Sequence, residues 1–157
     1  MKTQTNRLHN YLVSSMMVVF LMLLISCATP VQHNTQSGRP EVTISGKVGE
    51  QVIAEISNLM INNGYNVKSS SNSLLVFEKP IEKFMASVLL GSNYDGTPYA
   101  RITASVIESP SNTRVVLTFA AVTNPGSAFE RITPMNQSQD TIAYQNRLNE
   151  IKSRLEY

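Results

Sequence analysis

Cysteine and histidine are scarce in this chain of 157 residues. The single cysteine is Cys27, so no disulfide can form within one molecule, and the two histidines are His9 and His33. A Ser-His-Asp or Cys-His catalytic set cannot be assembled in a domain that follows these residues. A metal site built from imidazole and thiolate ligands is excluded on the same count. Any catalytic base would have to be a carboxylate or a lysine.

A basic excess and a phosphate-binding loop are also missing. The chain has 13 basic and 11 acidic residues, and residues 1–26 contain Lys2 and Arg7 but no acidic residue, so 11 of each sign remain after position 26. Nucleic-acid binding relies on a basic surface, and no such partner is expected here. No glycine-rich phosphate loop is present. We therefore predict no metal site and no cofactor.

The N-terminal segment has the layout of a secretory signal peptide. Residues 1–10 are polar and basic, and Tyr11 to Ile25 is apolar apart from Ser14 and Ser15. A membrane-spanning helix needs about 20 apolar residues, and polar residues follow this run at once. The pattern therefore favours a secretory signal over a spanning helix.

The end of this run, Leu24-Ile25-Ser26-Cys27, resembles the lipobox of bacterial lipoproteins. The resemblance implies a diacylglycerol on the sulfur of Cys27, cleavage before Cys27, and acylation of the new amine by a fatty acid such as palmitate. Two or three acyl chains would make membrane attachment effectively permanent. Ala28 in place of aspartate favours the outer membrane, facing the periplasm, where the sorting rule of enteric bacteria applies. The alternatives are an ordinary signal-peptidase site at Ser26-Cys27-Ala28 and an uncut anchor.

The sequence predicts three regions. Residues 1–26 form the signal peptide, residues 27–40 form the lipidated N-terminus and a flexible linker, and residues 41–157 form a single α+β domain. The linker is polar and bounded by prolines, with an end-to-end distance of roughly 20 Å if it is a flexible coil. The remaining residues suffice for one hydrophobic core but not for two domains.

Hydrophobic periodicity predicts the order β-α-β-β-(α)-β-β-α. The predicted elements are a strand at Glu41–Lys47, a helix from Gly49 to a stop at Asn62-Asn63-Gly64, strands at Tyr65–Lys68 and Leu74–Glu78, a short helix at Ile81–Leu90, long strands at Tyr99–Glu108 and Arg114–Thr123, and a helix from about Ser138 to the end. The first helix has an apolar stripe at helical period, formed by Val52, Ile53, Ile56, Leu59 and Met60. Gly64 is its expected left-handed cap residue. Ala128–Pro134 fits either a short edge strand or a loop. The apolar face of the last helix comprises Tyr144, Leu148, Ile151 and Leu155, and Ile142 is a candidate for its first member. We expect a two-layer α+β fold, with a mostly antiparallel sheet and its helices on one face. This element order resembles the helix-grip domains of outer-membrane assembly lipoproteins, without a shared motif.

Two predicted loops carry candidate partner-binding residues. Tyr94 and Asp95 lie in Gly91–Pro98, and Phe129 and Arg131 lie in Asn124–Pro134. An aromatic side chain near an arginine is a common composition for interface anchors. The alternative is that Tyr94 and Phe129 pack back onto the core while Arg131 is solvated.

These features predict a non-enzymatic, lipid-anchored envelope protein whose domain binds another envelope component. One rival is a carrier of a small apolar ligand or lipid, with a cavity between the sheet and the last helix. A second rival is a glycan hydrolase, which would need two of five carboxylates to converge in a cleft. Those carboxylates are Glu78, Glu82, Asp95, Glu108 and Glu130.

Overall fold

The computed structural model describes residues 30–82 and 97–157, which form six strands and two helices. The elements are β1 (Glu41–Ser45), α1 (Gly49–Asn62), β2 (Asn66–Ser70), β3 (Leu74–Pro80), β4 (Tyr99–Ser109), β5 (Asn112–Thr123), β6 (Arg131–Pro134) and α2 (Asp140–Glu156). The predicted helix at Ile81–Leu90 and the predicted loop that follows it lie largely outside the described residues.

The strands form one antiparallel sheet in the order β1-β5-β4-β3-β2. Strand β5 is long enough to pair with two short strands along its other edge. β1 pairs with Asn112–Val116 of β5, and β6 pairs with Ala120–Thr123. The sequence left Ala128–Pro134 open between an edge strand and a loop. In the structure, Arg131–Pro134 is the edge strand β6, and residues 128–130 belong to the loop before it.

The β4–β5 hairpin is the centre of the sheet. Its register runs without interruption from Tyr99 opposite Val122 to Ser109 opposite Asn112, with Pro110 and Ser111 forming the turn. Successive strand residues point to opposite faces, so the alternation of apolar and polar residues in β4 separates a core face from an outer face. Ile102 and Ala104 are buried on the core face, and Arg101 and Thr103 lie on the outer face.

Both helices pack on the core face, which confirms the predicted two-layer α+β fold. The predicted stripe of α1 faces the sheet: Val52, Ile56 and Met60 are fully buried, and Ile53 and Leu59 are partly buried. In α2, Leu148 and Ile151 are buried, and Tyr144 and Leu155 pack against the core. Because the two helices share one apolar face of the sheet, the domain has one core.

The ends of α1 are fixed by specific contacts. At its start, the Gly49 N–H donates to Glu108 Oε1 at 3.0 Å, and a β-carbon on Gly49 would lie 2.8 Å from that carboxylate. At its end, Gly64 has φ of +78°, as predicted for a left-handed cap residue. Its N–H donates to Ile61 O, and the N–H of Tyr65 donates to Met60 O, which together form a Schellman motif. This motif turns the chain directly into β2.

Two predictions near the domain's ends differ from the structure. Ile142 does not begin the apolar face of α2, because its side chain is 43% exposed while the neighbouring Thr141 is fully buried. The described part of the predicted flexible linker also contacts the domain. The Val31 N–H donates to Gln137 O at 3.1 Å, and His33 Nε2 lies 2.8 Å from Thr141 Oγ1. These contacts hold the described part of the linker against the domain, so the linker is less flexible than its composition suggested.

Candidate functional site

The structure describes two of the five residues proposed as sites from the sequence. Phe129 and Arg131 lie at the junction between β5 and β6. Cys27, Tyr94 and Asp95 lie outside the described residues. The geometry of the candidate binding site is therefore built from the segment Asn124–Glu130, which we call the β5–β6 loop.

Hydrogen bonds within the β5–β6 loop fix its backbone. Ser127 N–H and Ser127 Oγ both donate to Asn124 O, at 3.2 and 2.8 Å. Ser127 Oγ in turn accepts the N–H of Phe129 at 3.1 Å, and Ser127 O accepts the N–H of Glu130 at 3.1 Å. Asn124 has φ of +50°, and its Oδ1 is buried without a hydrogen-bond partner among the described residues. Strained or unsatisfied groups of this kind concentrate at functional sites, and they make this loop a candidate.

Glu130 attaches the loop to the outer face of the sheet. Its Oε2 accepts the N–H of Gly126 at 2.8 Å, and its Oε1 accepts from the Arg101 guanidinium at 3.1 Å. Arg101 also donates through Nε to Glu78 at 2.6 Å, and Lys68 lies 2.9 Å from the same carboxylate oxygen. The pKa of Glu130 is lowered, first by the hydrogen bond from Gly126 and then by Arg101. The loop is therefore connected through side chains to β4, β3 and β2.

Phe129 projects from this fixed loop into solvent, with 81% of its surface exposed. For Phe129, this exposure contradicts the alternative in which its ring packs back onto the core. Arg131 is exposed and makes no ion pair with any described residue. Ile132 beside it is 53% exposed. Neighbouring residues of a strand point to opposite faces, so Arg131 and Ile132 do not share a face of β6. We call the exposed pair Phe129 and Arg131, two residues apart in the chain, the Phe129 surface.

A second feature is a pocket between the sheet and the start of α2. It has a volume of about 610 Å³, and Tyr65, Lys79, Phe119 and Tyr144 are among the residues that line it. The two tyrosine hydroxyls are 3.3 Å apart, and the rings of Phe119 and Tyr144 lie 5.1 Å apart between centroids, tilted by 56°. Lys79 Nζ lies 4.5 Å from the centre of the Tyr65 ring. Burial raises the pKa of both tyrosines, so both hydroxyls stay protonated at neutral pH.

Sequence reasoning placed Tyr144 on the apolar face of α2 but did not identify the tyrosine pair. The two residues are 79 positions apart, and nothing in the local pattern connects them. The one available signal was the position of Tyr65 immediately after the predicted cap Gly64, where an apolar side chain often contacts the preceding helix.

The carboxylates of the hydrolase hypothesis have separate structural roles where they are described. Glu108 accepts the N–H of Gly49, and Glu82 lines the pocket between the sheet and α2. Glu78 and Glu130 do converge, but on the guanidinium of Arg101. A glycosidase's general acid needs a raised pKa, whereas the pKa of Glu130 is lowered. Glu130 is therefore poorly suited to donate a proton at neutral pH.

No family model matches the chain, and no curated protein sequence matches it either. Within residues 30–82 and 97–157, no helix has the length and apolar character needed to cross a membrane.

Proposed function

We propose that this chain is a lipid-anchored protein of the bacterial cell envelope, acylated at Cys27, whose domain binds another envelope protein without catalysing a reaction. Its destination in this proposal is the outer membrane, with the domain in the periplasm. The observation that carries the binding role is the exposure of Phe129 on a loop whose backbone is already fixed. The signal peptide and the lipobox resemblance support the anchor.

A fixed loop favours binding because little conformational entropy is lost when a partner docks. Ordering a side chain or loop at an interface costs roughly 0.5–1.5 kcal/mol for each group immobilised. In the β5–β6 loop, the bonds to Asn124 and Ser127 have already ordered the backbone. An exposed aromatic ring beside an arginine matches the composition of interface hot spots. The chemistry of the Phe129 surface therefore fits a partner with an apolar socket and a carboxylate at its rim.

The anchor is tested by the mass of the protein extracted from its own membranes. We expect the mass of residues 27–157 plus acyl chains, and we expect Cys27→Ser to release the protein from the membrane fraction. An unmodified chain that begins at another residue would refute the anchor.

The binding role is tested by placing a photo-crosslinking amino acid at position 129 of the full chain in living cells. Ile107 provides the matched control, because it is half exposed and lies on β4, away from the loop. We expect one defined envelope protein to crosslink at 129 and not at 107. Its affinity, measured with the purified protein, should fall at least about tenfold in Phe129→Ala. Equal crosslinking at both positions, or unchanged affinity, would contradict the proposal.

A second candidate function is a carrier of a small apolar ligand, which the pocket of about 610 Å³ favours. Ligand sites commonly enclose about 300–1,000 Å³ and combine apolar walls with a few polar groups. The Tyr65 and Tyr144 hydroxyls are such polar groups here. Titration with a fluorescent naphthylamine probe should give saturable binding that Ala143→Phe abolishes, since Ala143 lines the pocket. A probe signal that this variant leaves unchanged would contradict the carrier function.

A further inference from the structure

The two helices are separated on the sheet by an open cleft of about 1,070 Å³. Five asparagines line it: Asn58 and Asn62 of α1, Asn63 directly after α1, and Asn146 and Asn149 of α2. The amide of Asn63 donates to Leu59 O at 2.7 Å and is therefore already used. Leu59 and Ile151 contribute apolar surface between them. None of these residues belongs to the Phe129 surface, so the cleft is a separate candidate site.

The charged side chains of the cleft neutralise each other. Arg154 of α2 forms an ion pair with Glu55 of α1 at 3.0 Å, which connects the two helices at one end of the cleft. Arg147 and Glu150, both on α2, pair at 2.8 Å. With these charges paired, the cleft has no net charge that would select a charged ligand.

The remaining amide groups, in contrast, are available. The side-chain amides of Asn58, Asn62 and Asn146 make no hydrogen bond to another described residue. Asn149 uses its Oδ1 to accept a hydrogen bond from Gln145 at 3.1 Å, so its two N–H groups stay free. A side-chain amide offers both an acceptor and donors, which is the complement of a backbone peptide group.

The spacing of polar side chains on each helix matches an extended polypeptide. The amides of Asn58 and Asn62 are four residues apart on α1, and the Asn149 amide and the Ser153 hydroxyl are four residues apart on α2. Each step is about 6 Å along the helix axis. In an extended chain, peptide groups with the same orientation recur every two residues, or about 6.7 Å. The two polar side chains on each helix can therefore contact two successive peptide groups along one side of an extended segment.

From this arrangement we propose that the cleft binds an extended, uncharged polypeptide segment of a partner protein, held through its backbone peptide groups. Recognition through the backbone predicts that the segment's side chains matter less than its conformation. The binding free energy is expected to come from the asparagine amides, with Leu59 and Ile151 in contact with the segment's carbon atoms.

The test selects peptides from a random-peptide library on the full chain as the cell produces it. Enriched peptides are then measured against Asn58→Ala combined with Asn62→Ala, which removes the two amides spaced four residues apart on α1. The matched control combines Asn34→Ala with Asn72→Ala, since both of these asparagines are exposed and lie outside the cleft. We expect the cleft variant to lose affinity by about tenfold or more and the control to lose none. Alanine is the best helix former, so the cleft variant should remain folded.

Backbone recognition has its own readout. N-methylation of alternate residues in an enriched peptide should abolish binding for one alternate set and leave the other set unaffected. Phe129→Ala should leave peptide binding intact, which separates this proposal from the proposed function. Four outcomes would overturn the proposal: peptides that bind the cleft variant as well as the unaltered chain, insensitivity to both methylated sets, binding of chitooligosaccharide and not of peptides, and self-association that the cleft variant abolishes.

Discussion

The exposure of Phe129 makes a quantitative prediction, because the same chain offers a buried phenylalanine for comparison. Phe77 of β3 is fully buried and sits opposite Ile102 of β4. Removing a buried phenylalanine ring typically reduces the free energy of unfolding by about 3–5 kcal/mol. Full burial of such a side chain contributes roughly 1.5–3 kcal/mol, and Phe129 buries only about a fifth of its surface, so Phe129→Ala should lower that free energy by about 0.5 kcal/mol.

Urea unfolding followed by circular dichroism measures the free energy of unfolding of both variants. Domains of this size have free energies of unfolding of about 5–15 kcal/mol, so Phe77→Ala removes a large share of the total. At about 4 °C per kcal/mol, the melting temperature should fall by roughly 15 °C for Phe77→Ala and about 2 °C for Phe129→Ala. Phe129→Leu serves as a control that keeps apolar surface at the same position.

The reasoning fails if Phe129→Ala lowers the free energy of unfolding by more than about 2 kcal/mol, since a ring in solvent cannot account for that loss. Such a result would mean that the ring packs onto the domain in solution. The Phe129 surface would then no longer be available as an interface anchor.

Three further predictions concern a backbone conformation and two titrations. Gly64→Ala should lower the free energy of unfolding by about 1–2 kcal/mol, because φ is +78° while no atom lies within 4 Å of the added carbon; an unchanged urea midpoint would contradict this. NMR titration should give Glu130 a pKa below its usual value; its stabilising contribution is then present at neutral pH and lost as the pH falls through the lowered pKa, and a raised pKa would contradict the Gly126 hydrogen bond. Burial lowers the pKa of His33, so its contact with Thr141 should weaken as the pH falls through that lowered pKa. The imidazole titration and hydrogen exchange at residue 33 can check this, and a raised pKa would contradict it.

The sequence predicted the fold well where the signal was local. The stripe of α1, including Val52 and Ile56, has helical period, and the alternation in β4 and β5 has period two, so both patterns identify their buried faces directly. The cap at Gly64 was predictable because few residues other than glycine adopt that conformation readily. These local signals determined the order of the elements and the choice of fold class.

Predictions failed where a distant partner decides the outcome. Thr141 is buried in place of Ile142 because its hydroxyl donates to Ser138 O at 2.6 Å and also contacts His33, which lies 108 positions away. Hydrophobicity alone favours the isoleucine, and no local pattern reveals the histidine. The same limit applies to the ion pair of Glu130 with Arg101, which determines how the β5–β6 loop sits on the sheet.

The contacts of the N-terminal segment determine how far the domain could move from a membrane if Cys27 carries lipid. A flexible linker ending at Pro40 would allow roughly 20 Å. Because Val31 is hydrogen-bonded to Gln137, only the four residue steps from Cys27 to Val31 remain, and these span at most about 14 Å when fully extended. A short tether gives the domain a high effective concentration near partners anchored in the same membrane. It gives none near anchored partners that the tether cannot reach. If the partner of the Phe129 surface is itself anchored, we therefore expect it to be held at the same membrane as Cys27 and not at an opposing one.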